Sequence, residues 1–375
     1  MLPRHLYVHV PFCARRCSYC DFAIAVRRVV PVDEYLLALE REIDIRFAPS
    51  ADAPWHLDTL YLGGGTPSLL GASGIARLLD IVRSRATLHA RAEVTVEANP
   101  DDVTPEAVRA WRAAGVNRLS LGGQSFDDAA LRWMHRTHDA ARIRLAVENA
   151  REAELSNLSL DLIFSLPEEL GRDWRRDLDL ALELEPPHVS LYGLTVESGT
   201  PLGRWVARGE VVEAPEERYE HDFLLADRML TSAGFEHYEV SNFARPGVRA
   251  RHNSAYWEGR PYAGIGPSAH GFDGAVRRWN AESYADWERR IAGGLDPMEG
   301  QELLDDENRL VEQVYLGLRT SAGLPIATDE AGYFGRWVLE RWAVMSPDLR
   351  LRLTPSGWLR LDALAADLTA FRSRS

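Results

Sequence analysis

The sequence predicts an α/β fold, a partial TIM-like (β/α)6 barrel followed by a C-terminal winged-helix-like domain. Two patterns carry this expectation. Six short runs of strand character alternate with helical periodicity at barrel-like spacing, which implies a parallel sheet with right-handed crossovers. Near the C-terminus, the run LRLRLTPSGWLRL alternates on both sides of Pro-Ser-Gly and reads as a two-stranded wing.

The elements follow in order. A strand at 6–12 (LYVHVPF) leads into a cysteine-bearing loop. A helix over 33–47 is expected to start at Asp33 as its N-cap. Strand 57–63 precedes helix 73–86, strand 92–98 precedes helix 105–114, and strand 118–122 precedes helices at 127–134 and 141–153. Strand 158–165 and helix 172–184 come next, then strand 188–195 and helix 216–233. A doubly wound sheet is the alternative arrangement of the same elements. Residues 1–245 are read as the barrel, 246–300 as an aromatic, turn-rich connection, and 301–375 as a separate unit with helices near 304–318 and 330–344.

Composition excludes several function classes. The 375 residues carry a formal net charge of -13, so a general nucleic-acid binder is not expected, because phosphate binding rests on clustered positive charge. The C-terminal unit, with 11 acidic residues and nine Arg over 300–375, is expected to cap the barrel or bind a partner rather than DNA. All 43 basic residues are Arg. Without lysine there is no Schiff base and no Walker-type phosphate contact. The opening MLPRHLYVHVPFC lacks the pattern of a signal peptide, and no run of about 18 apolar residues is present to span a bilayer. The expected compartment is the cytoplasm, with peripheral membrane contact left open.

The chain has three cysteines, Cys13, Cys17 and Cys20, all within eight consecutive residues. A disulfide would leave one thiol over, and a reducing compartment disfavours it. Three thiolates spaced CxxxCxxC suit three irons of a cubane cluster, with the fourth iron open. A structural zinc site normally takes four protein ligands. His9 would be the fourth here, but it lies on the preceding strand.

The run Tyr7-Val8-His9-Val10-Pro11-Phe12-Cys13-Ala14-Arg15-Arg16-Cys17-Ser18-Tyr19-Cys20-Asp21-Phe22 resembles radical S-adenosylmethionine (SAM) proteins of the oxygen-independent coproporphyrinogen III oxidase group. Within that group it resembles the HemW branch of haem chaperones, over residues 3–370. The resemblance implies a radical SAM barrel and a [4Fe–4S] cluster on Cys13, Cys17 and Cys20. The open iron would bind SAM, and one electron from a donor such as flavodoxin or ferredoxin would cleave it. Gly63, Gly64, Gly65 and Thr66 match the segment beside SAM's amino group; glycine also lets backbone approach a ligand closely. Glu97 stands at a strand end, where a carboxylate can pair with an ammonium or a ribose hydroxyl. Gln124, Arg136 and Asp161 match positions that contact a second SAM molecule in the oxidase. Tyr7 and Tyr19 are expected to cover the cluster and adenine, or simply to pack. Nearby, this chain has Gly-Gly-Gln and Ser165-Leu166-Pro167 where the family usually has Gly-Val-Gln and Gly-Leu-Pro.

His252-Asn253-Ser254-Ala255-Tyr256-Trp257 resembles the HNxxYW signature of the HemW branch, and His252 is the expected haem ligand. His270, in Gly264-Ile265-Gly266-Pro267-Ser268-Ala269-His270-Gly271, is the second candidate. The oxidases have a longer segment before the first cysteine and a further cysteine where this chain has Phe22. The resemblance therefore implies a chaperone that delivers haem to recipient haem proteins and retains the capacity to cleave SAM. A decarboxylase acting on coproporphyrinogen III is the alternative.

Overall fold

Side chains on the first strand alternate, as a strand with two differently used faces requires. In β1 (His5–Val10), Leu6, Val8 and Val10 are fully buried on one face, while Tyr7 and His9 point to the other. The computed structural model describes residues 2–48 and 54–374. Five further parallel strands follow: β2 (Trp55–Gly64), β3 (Ala86–Ala98), β4 (Arg118–Gln124), β5 (Leu158–Phe164) and β6 (His188–Gly193). Between them run α1 (Val32–Arg46), α2 (Gly71–Arg83), α3 (Pro105–Ala113), α4 (Asp128–Trp133), α5 (Ala140–Glu152) and α6 (Trp174–Glu183).

The helices start where capping chemistry places them. Thr104, Asp127, Asp139 and Asp173 each accept backbone N–H groups of the following turn. Helix α2 buries Ile75, Leu78, Leu79 and Val82, and α5 buries Ile143, Ala146, Val147 and Ala150, the stripe expected of helices laid on a sheet. One expected start differs. Asp33 lies in the first turn of α1 rather than at its N-cap, which is Pro31, and it pairs with Arg77 on the surface. Proline's fixed φ starts the helix two residues earlier.

After the barrel helices come α7 (Pro201–Ala207), α8 (Glu216–Ser232), β7 (Glu236–Glu239), β8 (Asn242–Ala244), α9 (Arg251–Trp257) and β9 (Ala263–Ile265). The nine-stranded sheet runs β9-β1-β2-β3-β4-β5-β6-β8-β7. The edge strand β9 is parallel to β1, and β8 is antiparallel to β6. The six-strand parallel core is the expected partial barrel. A small antiparallel sheet follows from β10 (His270–Phe272), β11 (Val276–Asn280) and β12 (Met298–Leu303), with α10 (Tyr284–Ala292) inserted.

The C-terminal segment contains α11 (Asp306–Arg319), β13 (Leu324–Pro325), α12 (Gly335–Leu339), β14 (Ala343–Met345), β15 (Arg350–Leu353), α13 (Pro355–Trp358) and α14 (Leu361–Arg372). The expected wing across Pro-Ser-Gly is not formed. Thr354 caps α13, its side chain accepting from the Gly357 N–H, with Pro355 at the first helical position. Thr-Pro at a helix start outweighs the alternation of the flanking leucines. The hairpin lies one strand upstream, where β14 pairs antiparallel with β15.

Candidate functional site

The strand C-terminal ends surround a cavity of about 660 Å³. All three cysteines line it, as do Tyr19, Gly64, Gly65, Thr66, Glu97, Gln124, Arg136 and Asp161. In a parallel barrel this end collects function because the βα loops converge there.

The cysteine loop is held at its neck and at its middle. Phe12 and Cys13 pair with Ala25 and Val26 as a short parallel ladder. Ser18 donates its N–H to the Met134 carbonyl at 3.1 Å, and its own carbonyl accepts from Leu202 at 2.8 Å. The three thiols are free. Cys13 lies 3.4 Å from the Thr66 hydroxyl, and Arg136 Nη1 lies 3.4 Å from Cys17 Sγ. Burial pushes the Cys13 thiol up to about 11 and raises that of Cys20. A bound metal cation favours the thiolate, so metal uptake here is linked to proton release. Among the described residues, no three His, Cys, Asp or Glu side chains are grouped to hold a single metal ion. All three thiols line one cavity, and cysteine thiolates are the ligands that hold iron–sulfur clusters.

Glu97 ends β3 and is partly buried. It accepts from the Tyr61 hydroxyl at 2.8 Å and from the Gly64 N–H at 3.0 Å. Desolvation raises its carboxyl to about 7; the two hydrogen bonds oppose the rise and nearby Asp161 adds to it. Asp161 accepts from the Ser120 and Ser159 hydroxyls and is raised to about 6, again chiefly by burial. Two carboxyls thus face one cavity with neutral hydroxyl and amide partners.

The β4 end is irregular, with a register shift against β5 between Gly122 and Gln124, and Gln124 has φ of +67°. Bulges of this kind re-aim side chains beside sites. Arg136 Nη2 donates to the Gly122 carbonyl at 2.9 Å, and its buried Nε has no partner among the described residues. A Cβ on Gly122 would approach Gln124 Nε2 to 3.0 Å and Arg136 Nη2 to 3.2 Å, so glycine lets both side chains close over it.

The glycine run also has a packing reason. A Cβ on Gly64 would meet the His9 ring at 2.7 Å, and one on Gly65 would meet the Pro11 and Phe12 carbonyl oxygens at 2.8 Å. These glycines are required by the crowded junction with β1 and the cysteine loop. The same crowding leaves the β2 end against the cavity.

Two expected residues lie elsewhere. Tyr7 stacks on Tyr61, with centroids 6.0 Å apart, and faces a second cavity. His252 is buried at 1% exposure. Its Nδ1 is 2.7 Å from Thr59 Oγ1, its Nε2 is 2.7 Å from the Tyr256 hydroxyl, and Tyr61 stacks on it at 5.0 Å. Burial drives its ring down to about 3, so it is neutral. An iron atom could reach either nitrogen only by breaking one of these bonds. A Cβ on Gly63 would meet the Tyr7 and Tyr61 rings at 2.9 and 2.8 Å and Glu97 Oε1 at 3.0 Å, so this glycine sits between the two cavities' walls.

Sequence reasoning missed Tyr61 and His138. Tyr61 shares its face of β2 with Thr59 and Gly63, so period-two counting would have found it. His138 bonds Asn99 at 2.9 Å and the Gly123 carbonyl at 3.1 Å, tying the ends of β3 and β4 beside Arg136. No local pattern announces that link.

The chain matches the Radical SAM superfamily over residues 7–181. It is 41% identical over 375 residues to the Heme chaperone HemW of Mycobacterium tuberculosis, covering 98% of this chain and 95% of that protein. This chain belongs to the HemW family. Its likeness to HemW of Escherichia coli is 38% over 272 residues, 72% of this chain and 70% of that protein. Among solved structures, the coproporphyrinogen III oxidase HemN of Escherichia coli superposes with a TM-score of 0.81 at 24% identity, covering 99% of this chain and 91% of that one. That likeness speaks to the fold. Membership of the radical SAM superfamily brings a [4Fe–4S] cluster and SAM as cofactors, and this cavity fits them. It offers three free thiols, the Arg136 guanidinium beside Cys17 with its Nε unpartnered among the described residues, and the Glu97 carboxyl held by a hydroxyl and an amide. Among the described residues, no helix is long and apolar enough to cross a membrane.

Proposed function

We propose that the chain is a haem chaperone that binds a [4Fe–4S] cluster, SAM and haem, and hands haem to recipient haem proteins. The observation that carries this reading is 41% identity across 98% of the chain to a protein whose name is Heme chaperone HemW. The cavity that all three thiols share supports it.

In this reading Cys13, Cys17 and Cys20 hold three irons as thiolates. Arg136, 3.4 Å from Cys17 Sγ, offsets the negative charge of the site. Glu97 orients an ammonium or hydroxyl at the end of β3, taking its charge when such a cationic partner repays the desolvation. Gln124 and Asp161 supply further polar contacts, Tyr19 forms the wall behind the cysteines, Gly64, Gly65 and Thr66 shape the floor, and Gly63 packs behind Glu97. When bound, the cluster and SAM supply one-electron cleavage of the SAM sulfonium. An external donor of the flavodoxin or ferredoxin type provides the electron. Residues 1–245, 246–300 and 301–375 are assigned as barrel, connection and C-terminal unit. We assign a cytoplasmic location with peripheral membrane contact during transfer; three thiolates that must stay reduced suit such a compartment.

The test is a hemin titration of the anaerobically reconstituted, cluster-loaded protein, followed by transfer to an apo haem protein. Saturable binding of a single haem per chain and its transfer to the recipient are expected. No saturable binding, together with carbon dioxide release from coproporphyrinogen III, would overturn the chaperone reading in favour of a decarboxylase.

A further inference from the structure

A second cavity of about 640 Å³ opens beside the barrel, within the size range of small-molecule sites. It lies between β1, α9, the β9–β10 turn and α11. Tyr7 and His9 form its inner wall, joined by a 3.2 Å contact between the Tyr7 hydroxyl and His9 Nδ1. The far side of the same wall is the β2 end, because Gly63 and Gly64 abut Tyr7 and His9. Gly64 lines the cysteine cavity, so the two cavities are neighbours separated by one layer of side chains.

The lining is aromatic. Tyr256, Trp257, Tyr262, Phe272 and Tyr315 contribute flat faces, and the Val311 side chain stands exposed at the rim. Each of these rings is only partly buried, and part-open aromatics around a concavity suit a flat apolar ligand. The Trp257 indole N–H is buried with no acceptor among the described residues, which marks a donor awaiting a partner.

Two polar features define the ligand further. His270 is exposed at the cavity, held by cross-strand pairing with Trp279 and stacked on its ring at 6.0 Å. Neither of its ring nitrogens has a hydrogen bond among the described residues, in contrast to His252, where both are taken. Desolvation and Arg277 lower its pKa, which keeps the imidazole in the neutral form that ligates metals. Arg260 and Arg277 are the cationic groups lining the cavity, and Arg277 is bound to Glu312 at 2.7 Å in a partly exposed pair. Partly exposed pairs are weak and readily exchange partners. A ligand carboxylate can therefore compete for Arg277.

We propose that this second cavity seats the haem, with His270 as the iron ligand and Arg277 as the partner of a propionate. The inference rests on the haem-chaperone reading and specifies where, and by which residues, haem is held. It assigns the Tyr-Trp pair of the HNxxYW segment to the cavity lining and His252 to the framework beneath it.

The experiment is a hemin titration followed by the Soret band, on the full-length, cluster-loaded protein and four variants. His270→Ala is expected to shift the Soret band and weaken binding roughly tenfold or more, consistent with the loss of one strong directed contact. His270→Gln should show the same spectral change while preserving the polar surface, so an altered fold cannot explain it. His252→Ala is expected to leave the band position unchanged. Glu312→Gln releases Arg277 and should tighten hemin binding several-fold without affecting hemin dimethyl ester, which lacks the carboxylates. Binding by the wild-type protein with unchanged spectrum and affinity in both His270 variants would overturn the assignment and leave the chaperone reading standing. A band shift in His252→Ala alone, or no tightening in Glu312→Gln, would also overturn it. No hemin binding by the wild-type protein would remove both.

Discussion

Two glutamates in this molecule, Glu42 buried and Glu97 partly buried, are used in opposite ways. Glu42 on α1 is surrounded by donors: Arg46 at 2.6 Å, the Gly266 N–H at 2.8 Å, Asn280 at 2.7 Å and the Trp287 indole at 2.8 Å. Those contacts bind α1 to the β9–β11 region and leave nothing over. Glu97 has two neutral donors and no cation, and its carboxyl rises to about 7. The fold has satisfied one carboxylate fully and left the other short of partners beside a cavity. Buried polar groups are normally paired, so a deficit of this kind points to a missing ligand.

The comparison can be broken most severely from the cavity side. Cys17→Ala is expected to abolish cluster assembly and SAM cleavage while leaving the barrel folded; iron and sulfide analysis with a 5′-deoxyadenosine assay would measure it, and full turnover in that variant would refute the thiol assignment. Glu42→Gln should act on the fold instead. It strands the Arg46 guanidinium, 4% exposed, and is expected to cost about 3–5 kcal/mol in denaturant unfolding. A cost well under that would mean that Glu42 is not the structural member of the pair.

The smallest effect sharpens the contrast through pH. The folded, ligand-free protein holds a proton on Glu97 more tightly than the unfolded chain does, since its value is raised from 4.5 to about 7. The associated stability is present below pH 4.5 and is lost as pH rises through 7. Glu97→Gln should flatten the stability profile across that window, and its ligand-free stability at the upper end should equal or exceed that of the wild type. Asp161 contributes a similar but lower window, from 3.8 to about 6, and persists in the variant. An unchanged slope in the variant would show that Glu97 does not titrate there.

Much of the fold was legible before any coordinate. Period-two burial in β1 and the i, i+3, i+4, i+7 stripe of α2 are local consequences of backbone geometry. The CxxxCxxC spacing announced a cluster loop, and Glu97, Gln124, Arg136 and Asp161 do share the cavity with it. The failed expectation was also a local pattern, read without its competitor. The leucine alternation around Pro355 promised a wing, but a Thr-Pro cap starts a helix there. His252 carries a conspicuous motif, and only the folded chain shows that its ring is bonded to Thr59 and Tyr256.

What the sequence determined by itself is the kind and order of elements and the chemistry of the cysteine loop, because these depend on residues close along the chain. Tertiary structure alone decided which polar groups are satisfied and which are left open. Asn280 reaches Glu42 across 238 residues, and Thr59 meets His252 across 193. A hydrogen bond requires partners within about 3 Å, and no pattern in a linear chain reports distance between residues so far apart. The difference between a saturated histidine and an open one, or between Glu42 and Glu97, exists only once the sheet has brought those segments together.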